Sequence, residues 1–362
     1  MATSSAAPST PGTPGNPCLI ALDWGTSSLR AFRFDAAGQV LEMRYRPWGI
    51  MNLPPAPDGA PDALPSDAFE RALQDTCGDW LGATPALPLL ACGMVGSAQG
   101  WKEAPYLNTP TSLDDLASGL TVVHRSSDKP LHIVPGLLQR GSLPNVMRGE
   151  ETQVLGVLAG GHTTGDAPLL IGLPGTHSKW VTATAGATGR CIEHFHTFMT
   201  GEVFAALRGH TILGKTMQTA TAQDDAAFAR GLAVAQGSDA PLGLLSHIFS
   251  ARTLGLTGEL PASAQADYLS GILIGHEISA LAHLQKQSPV ACPPTVVLCG
   301  EPDLCRRYAK ALQAYGFPPP VIAENATARG LWQIACAAGL ITAAATPATT
   351  TATTASPPSI PA

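Results

Sequence analysis

Apolar strand-like runs broken by small-residue turns follow the same order at two places in the chain. Ile20 to Asp23 reads as a strand ending in a carboxylate, Trp24-Gly25-Thr26-Ser27-Ser28 as a turn, and Leu29 to Phe34 as a returning strand, with another turn at Ala36-Ala37-Gly38. Leu170 to Leu173, the turn at Pro174-Gly175-Thr176-His177-Ser178 and the strand from Lys179 repeat this order, with the next turn at Ala185-Gly186. A Gly-Thr bend between strands exposes backbone N–H groups and hydroxyls with nothing bulky in the way, which suits a phosphate chain. Two such bends imply two related halves facing one nucleotide.

Elsewhere the pattern predicts helices over Ser66–Leu81, Glu150–Ala159 and Ala264–Gln287 and near Ala326–Ala338, with strands at Leu87–Cys92, at 131–135, in three runs from Leu169 to Thr200, and at Thr295–Cys299. Asn145-Val146-Met147-Arg148-Gly149 reads as a polar loop, and the helix after it as the link between halves. Strands alternating with helices give the α/β class. The expected organisation is an N-terminal domain over 18–150 with the first hairpin and a C-terminal domain over 151–342 with the second. Disordered Ala/Ser/Thr/Pro-rich tails are expected at 1–17 and 343–362. The Pro-rich stretch from Leu53 to Pro65 reads as a surface loop.

A length of 362 residues fits two domains. The net charge of −6, with 13% of residues charged, leaves no basic surface for sequence-independent binding to nucleic acid. No apolar run is long enough to span a bilayer and the start lacks the order of a secretory signal, so the expected location is cytoplasmic, without membrane partners. The eight cysteines show no C-x-x-C pair and read as small buried apolar residues. His194 and His196 share a strand face, a weak metal signal.

Asp23 ends a strand beside the first bend, where a carboxylate can hold Mg²⁺ against phosphate charge; the plainer role for an Asp there is to cap the turn. Glu150 and Glu151 open a helix, where a carboxylate favourably meets the helix dipole. The loop between two phosphate-binding halves is also where a general base would reach a substrate hydroxyl. Trp101, Lys102 and Tyr106 beside the glycine-rich stretch 93–100, together with Arg148, suit a wall for a small anionic ligand. Arg148 offers bidentate geometry to a carboxylate, while Trp101 and Tyr106 could equally pack a loop and Lys102 face solvent. Gly300, after the strand at Thr295–Cys299, could receive adenosine or mark an ordinary strand-to-helix joint.

Five blocks in order, Asp23-Trp24-Gly25-Thr26-Ser27, Gly93-Met94-Val95-Gly96-Ser97 with Gly100-Trp101-Lys102 and Pro105-Tyr106, Asn145 to Gln153, Pro174-Gly175-Thr176-His177-Ser178-Lys179-Trp180 and Met199-Thr200-Gly201-Glu202, resemble the 2-dehydro-3-deoxygalactonokinase family over nearly all of 18–340. The resemblance implies the two-domain, ribonuclease H-like fold of actin-like ATPases and sugar kinases, closing on ATP, Mg²⁺ and a 2-keto-3-deoxy sugar acid that is phosphorylated at its 6-hydroxyl for galactonate breakdown. It assigns the phosphates to Gly25, Thr26, Ser27 and Ser28 and to Gly175, Thr176, His177 and Ser178, and adenosine to Gly300. Many sugar kinases of the superfamily place a Gly-Asp base just before the second phosphate motif; here Gly149-Glu150 stands there, making Glu150 the candidate base and Glu151 the reserve. The rival readings are a phosphohydrolase that activates water, a kinase of the superfamily with another substrate, and a non-enzymatic sugar-responsive regulator, against which stands an N-terminus without a DNA-binding segment. Oligomeric state stays open, a homodimer included.

Overall fold

The computed structural model describes residues 15–57, 64, 66–125, 129–162, 168–186, 189–287 and 294–341. The expected tails, apart from residues 15–17, and much of the Pro-rich loop therefore lie outside the described residues. Pro17 already belongs to the first strand.

The first half opens with β1 (Pro17–Trp24), β2 (Leu29–Asp35) and β3 (Val40–Arg46), joined as an antiparallel meander. Helix α1 (Ser66–Ala83) then returns the chain to β4 (Leu89–Cys92), parallel to β1. Leu19 to Leu22 are fully buried and all of β4 is buried, as befits central strands covered on both faces. After β5 (Tyr106–Asn108), β6 (Thr111–Ser112) and the short α2 (Leu113–Ser118) come β7 (Thr121–Val123), β8 (Leu131–Ile133), β9 (Gly136–Gln139) and β10 (Asn145–Met147). The main sheet runs β3-β2-β1-β4-β8-β7, and β10-β9-β5 form a small second sheet. Residues 145–147 are thus a strand rather than the expected loop: Val146 and Met147 pair with Leu138 and Leu137, and Met147 is buried.

Helix α3 (Glu150–Ala159) leads to a second meander, β11 (Leu169–Leu173), β12 (Ser178–Gly186) and β13 (Gly189–Phe198). Helices α4 (Thr200–His210), α5 (Asp225–Val234), α6 (Leu244–His247), α7 (Ser250–Leu256) and α8 (Gln265–Gln287) follow. The chain ends with β14 (Thr295–Leu298), α9 (Pro302–Ala314), β15 (Val321–Ile322) and α10 (Ala326–Ala337). The second sheet runs β15-β14-β11-β12-β13-β6, with β14 parallel to β11 and β15 parallel to β14. Read outward from β11, five of its strands, β15-β14-β11-β12-β13, repeat the order and directions of β8-β4-β1-β2-β3 in the first sheet; the sixth strands differ, β7 lying beyond β8 and β6 beyond β13. The repeated sequence pattern is therefore a repeated sheet topology, the architecture of the actin-like ATPase and sugar-kinase fold.

Two segments tie the sheets together. The β6 segment, from the first half, extends the second sheet by pairing with β13. Helix α10, from the end of the chain, packs on α3 and returns to β1 and β4, where its Trp332 ring lies 5.7 Å from that of Phe34. The α3–α10 crossing depends on two glycines: a Cβ on Gly156 would fall 1.8 Å from Ala326 O, and one on Gly330 1.8 Å from Thr152 O. One apolar core accordingly runs from Leu19 and Leu90 through Val154 and Leu331 to Ile171 and Val297.

Candidate active site

Both hairpins present their bends alike. Thr26 and Ser27 are exposed beside half-buried Gly25, and Thr176 and His177 are exposed beside half-buried Gly175. The first bend closes with Gly25 N–H donating to Ser28 O at 2.9 Å, and its Gly25 and Thr26 carbonyls accept from Ile50 and Met51 N–H at 3.1 Å. Gly49 lies so close that a Cβ there would stand 2.2 Å from Thr26 O. The second bend is braced by α4: Glu202 N–H donates to Thr176 O at 3.0 Å, and His177 Nε2 is hydrogen-bonded to the Glu202 carboxylate. The members differ at Ser178, which is fully buried with its hydroxyl 2.8 Å from Tyr308 OH. Its side chain lies inside the protein, away from the exposed face of the bend, while half-buried Ser28 stays near the surface.

Asp23 does not cap its own turn; Arg30, one strand over, donates to its Oδ2. Burial pushes the Asp23 carboxyl above the usual carboxylate range, Arg30 pulls it down, and the nearby charge of Glu150 pushes it up again. Two glycines make this proximity: Gly93, at φ 94°, and Gly149, at φ 107°, adopt backbone that side-chain residues rarely take, and a Cβ on Gly149 would stand 3.2 Å from Gly93 Cα. The start of α3 is thereby pressed against the ends of β1 and β4.

The paired glutamates part company here. Glu151 is fully buried; its carboxylate accepts Gly149 N–H at 2.6 Å and Thr152 Oγ1–H at 3.0 Å. Burial, aided by Glu150, pushes its pKa up to about 7. Glu150 keeps about a quarter of its side chain exposed, accepts Arg148 N–H at 3.0 Å, and sets Oε1 3.3 Å from Lys179 Nζ. Lys179 belongs to β12, directly after the second bend, and is buried. Glu150 thus stands between Asp23 of the first hairpin and Lys179 of the second. Lys179 was legible only as part of a motif, because the burial that makes its charge matter has no mark in the sequence.

The sugar-acid candidates separate in the same way. Trp101 packs inward, its ring 5.7 Å from Phe69 and 5.8 Å from Trp24, and Lys102 Nζ donates to Val122 O at 2.8 Å. Arg148 is buried, stacked 4.3 Å from the centre of the Tyr106 ring, and donates from Nη2 to Ala104 O at 2.8 Å. Its Nε and Nη1 are buried without hydrogen-bond partners, as is the hydroxyl of Ser97. Gly96 makes room for the guanidinium: a Cβ there would lie 3.0 Å from Nη1. Two unsatisfied guanidinium nitrogens are costly to bury and mark where an anion or water would be held.

A cavity of about 540 Å³ opens beside the second bend, lined by Gly175, Thr200 and Gly201 on one side and by Glu301, Arg307 and Tyr308 on the other. Gly300 sits at its edge, packed so that a Cβ would be 3.2 Å from Pro174 O, while Glu301 caps α9 by accepting Leu304 N–H at 2.8 Å. The residues after Gly300, more than Gly300 itself, face the cavity. His194 and His196 stack edge to face with centroids 5.5 Å apart, and no cluster of three or more His, Cys, Asp or Glu suited to a metal occurs among the described residues. Seven cysteines are free there; Cys292 lies outside the described residues. Among the described residues no helix is long and apolar enough to cross a membrane.

The model of a family described as 2-keto-3-deoxy-galactonokinase matches residues 23–334. A Rhizobium meliloti protein named as a 2-dehydro-3-deoxygalactonokinase is 36% identical over 319 residues, covering 86% of this chain and 94% of its own. The Escherichia coli 2-dehydro-3-deoxygalactonokinase is 32% identical over 318 residues, covering 87% and 97%. A Sinorhizobium meliloti crystal structure assigned to the same activity superposes with a TM-score of 0.73 at 35% identity, covering 88% of this chain and 98% of that one.

Proposed function

The chain belongs to the 2-keto-3-deoxy-galactonokinase family, a family of sugar-acid kinases, and from that membership we propose that it transfers the terminal phosphoryl group of ATP to the 6-hydroxyl of 2-dehydro-3-deoxy-D-galactonate. The observation that carries this reading is the place of Glu150, about a quarter of its side chain exposed, beside Lys179 of the second hairpin and close enough to Asp23 of the first for its charge to be felt there.

Phosphoryl transfer asks a protein mainly for positioning and charge stabilisation. Exposed Thr26 and Ser27 on one side and Thr176 on the other supply hydroxyls for the phosphates, with the His177 ring beside Thr176, and the 540 Å³ cavity beyond Gly175 has room for the nucleoside. Asp23 suits Mg²⁺: it offers oxygen to a hard cation, Arg30 holds only Oδ2, and Gly93 puts no side chain against Oδ1, which a Cβ there would touch at 3.6 Å. When bound, the metal would neutralise phosphate charge. Glu150 would accept the proton of the attacking hydroxyl, while Lys179 beside it would offset negative charge gathering on the transferred group. Arg148, with Nε and Nη1 both unspent, would take the substrate carboxylate, with Ser97 and Tyr106 beside it. Glu151, enclosed and bonded to its own helix start, would keep the Gly149 turn in shape.

A panel of 2-keto-3-deoxy sugar acids with ATP, followed by mass spectrometry and by ADP formation, tests the assignment. The expected result is ADP only when sugar acid is present, in step with a monophosphate ester at C6. ADP release at an unchanged rate without sugar acid would identify a phosphohydrolase instead.

A further inference from the structure

Glu277, on α8, is buried and has no part in the chemistry above. Trp180 Nε1–H donates to its Oε1 at 2.7 Å, and Tyr308 O–H, at 2.7 Å, and Thr200 Oγ1–H both donate to its Oε2. No lysine or arginine lies within ion-pair distance among the described residues. The donors come from three elements: β12 just beyond the second bend, the first turn of α4, and α9. Thr200 and Tyr308 also line the 540 Å³ cavity.

Burial pushes the Glu277 carboxyl above the usual range and its ring of hydroxyl and indole donors pulls it back down; in the ionised form that so many donors favour it only accepts, and so commits the protons around it. With Tyr308 donating to Glu277, the bond between Ser178 Oγ and Tyr308 OH must run from the serine to the tyrosine. With Thr200 donating as well, its hydroxyl has only lone pairs left to offer the cavity. A phosphate oxygen, itself an acceptor, is a poor partner for that group, whereas an O–H donor is a good one. We infer that Glu277 polarises this wall of the cavity, so that Thr200 reads an O–H donor of the bound nucleotide, either a ribose hydroxyl or a water on its metal. Glu277 is in these terms a positioning residue acting through Thr200. The inference rests on the reading of this cavity as the ATP site.

Calorimetric titration of the intact protein separates the possibilities. ATP is compared with 2′,3′-dideoxy-ATP, each with and without Mg²⁺, on the wild type and on Glu277→Gln and Thr200→Val. In Glu277→Gln the side-chain amide can donate where the carboxylate accepted, which frees Thr200 to turn its proton toward the cavity. In the wild type, dideoxy-ATP is expected to bind about tenfold more weakly than ATP if the donor is a ribose hydroxyl, the size of one lost hydrogen bond, whereas a metal-bound water as donor leaves that ratio near unity and adds about tenfold to the larger Mg²⁺ dependence set by the phosphates and Asp23. Both variants should lose about tenfold from one of the two ratios, and the comparison in which the loss occurs names the donor. Unchanged ratios in both variants, with ATP still binding, overturn the inference; if Glu277→Gln does not fold, unchanged ratios in Thr200→Val do so alone. Absence of ATP binding by the wild type would instead overturn the nucleotide-site reading beneath it.

Discussion

Replacing Glu151 by glutamine should stabilise the protein at alkaline pH while leaving catalysis nearly intact. The carboxyl is fully buried and its pKa is pushed from 4.5 up to about 7, so the folded state holds this proton more tightly than the unfolded chain does. Stability from this group is complete below the unfolded value of 4.5 and is lost as pH rises through about 7. A difference of about 2.5 pH units, at about 1.36 kcal/mol each, makes about 3.4 kcal/mol the ceiling on that loss. Glutamine should avoid it, because its Oε1 can still accept Gly149 N–H and its amide can donate to Thr152 Oγ1. Urea unfolding of wild type and Glu151→Gln from pH 5 to pH 8.5 measures the difference, which should grow in the variant's favour up to about pH 7 and level off above it. A difference that is independent of pH, or that favours the wild type more as pH rises, would refute the reasoning. A fall in turnover beyond about tenfold would move the base role toward Glu151.

Other substitutions probe separate parts of the account. Arg148→Lys keeps the charge but loses the planar donor pair, so the KM for sugar acid should rise about tenfold or more while the KM for ATP stays within about twofold, read by steady-state kinetics with each substrate varied. Lys179→Met should lower kcat by about 10²-fold with little change in ATP affinity, as expected for charge stabilisation in the transition state, and rapid-quench measurements would show it. Gly330→Ala places a methyl group 1.8 Å from Thr152 O, so α3 and α10 must part; a loss of about 1–3 kcal/mol or more is expected in urea denaturation.

The fold was largely legible because each meander carries its own local signal: strand periodicity interrupted by Gly-Thr bends, in two copies. The three-residue strands β5 and β10 and the two-residue β6 escaped, since pairing with distant partners, and not their own periodicity, defines segments so short. Within the site, Asp23 and Glu150 stood out as carboxylates at the ends of recognisable elements. Glu150 and Glu151 could not be told apart by sequence, because neighbours in a helix differ by a rotation of about 100°, and only packing decides which one enters the core. Ser178 and Trp101 read as ligand contacts because their residue types suit ligands, whereas their side chains point inward toward Tyr308 and Phe69. Lys179 was visible only as a member of its motif and Glu277 gave no warning, for a buried charge is recognised by its surroundings.

The base role of Glu150 is tested most directly by single-turnover phosphoryl transfer in Glu150→Gln, with ATP binding measured on the same preparation. The account predicts a folded variant that binds ATP within about twofold of the wild type and forms the sugar-acid phosphate about 10² to 10⁴-fold more slowly. Transfer at close to the wild-type rate would contradict it.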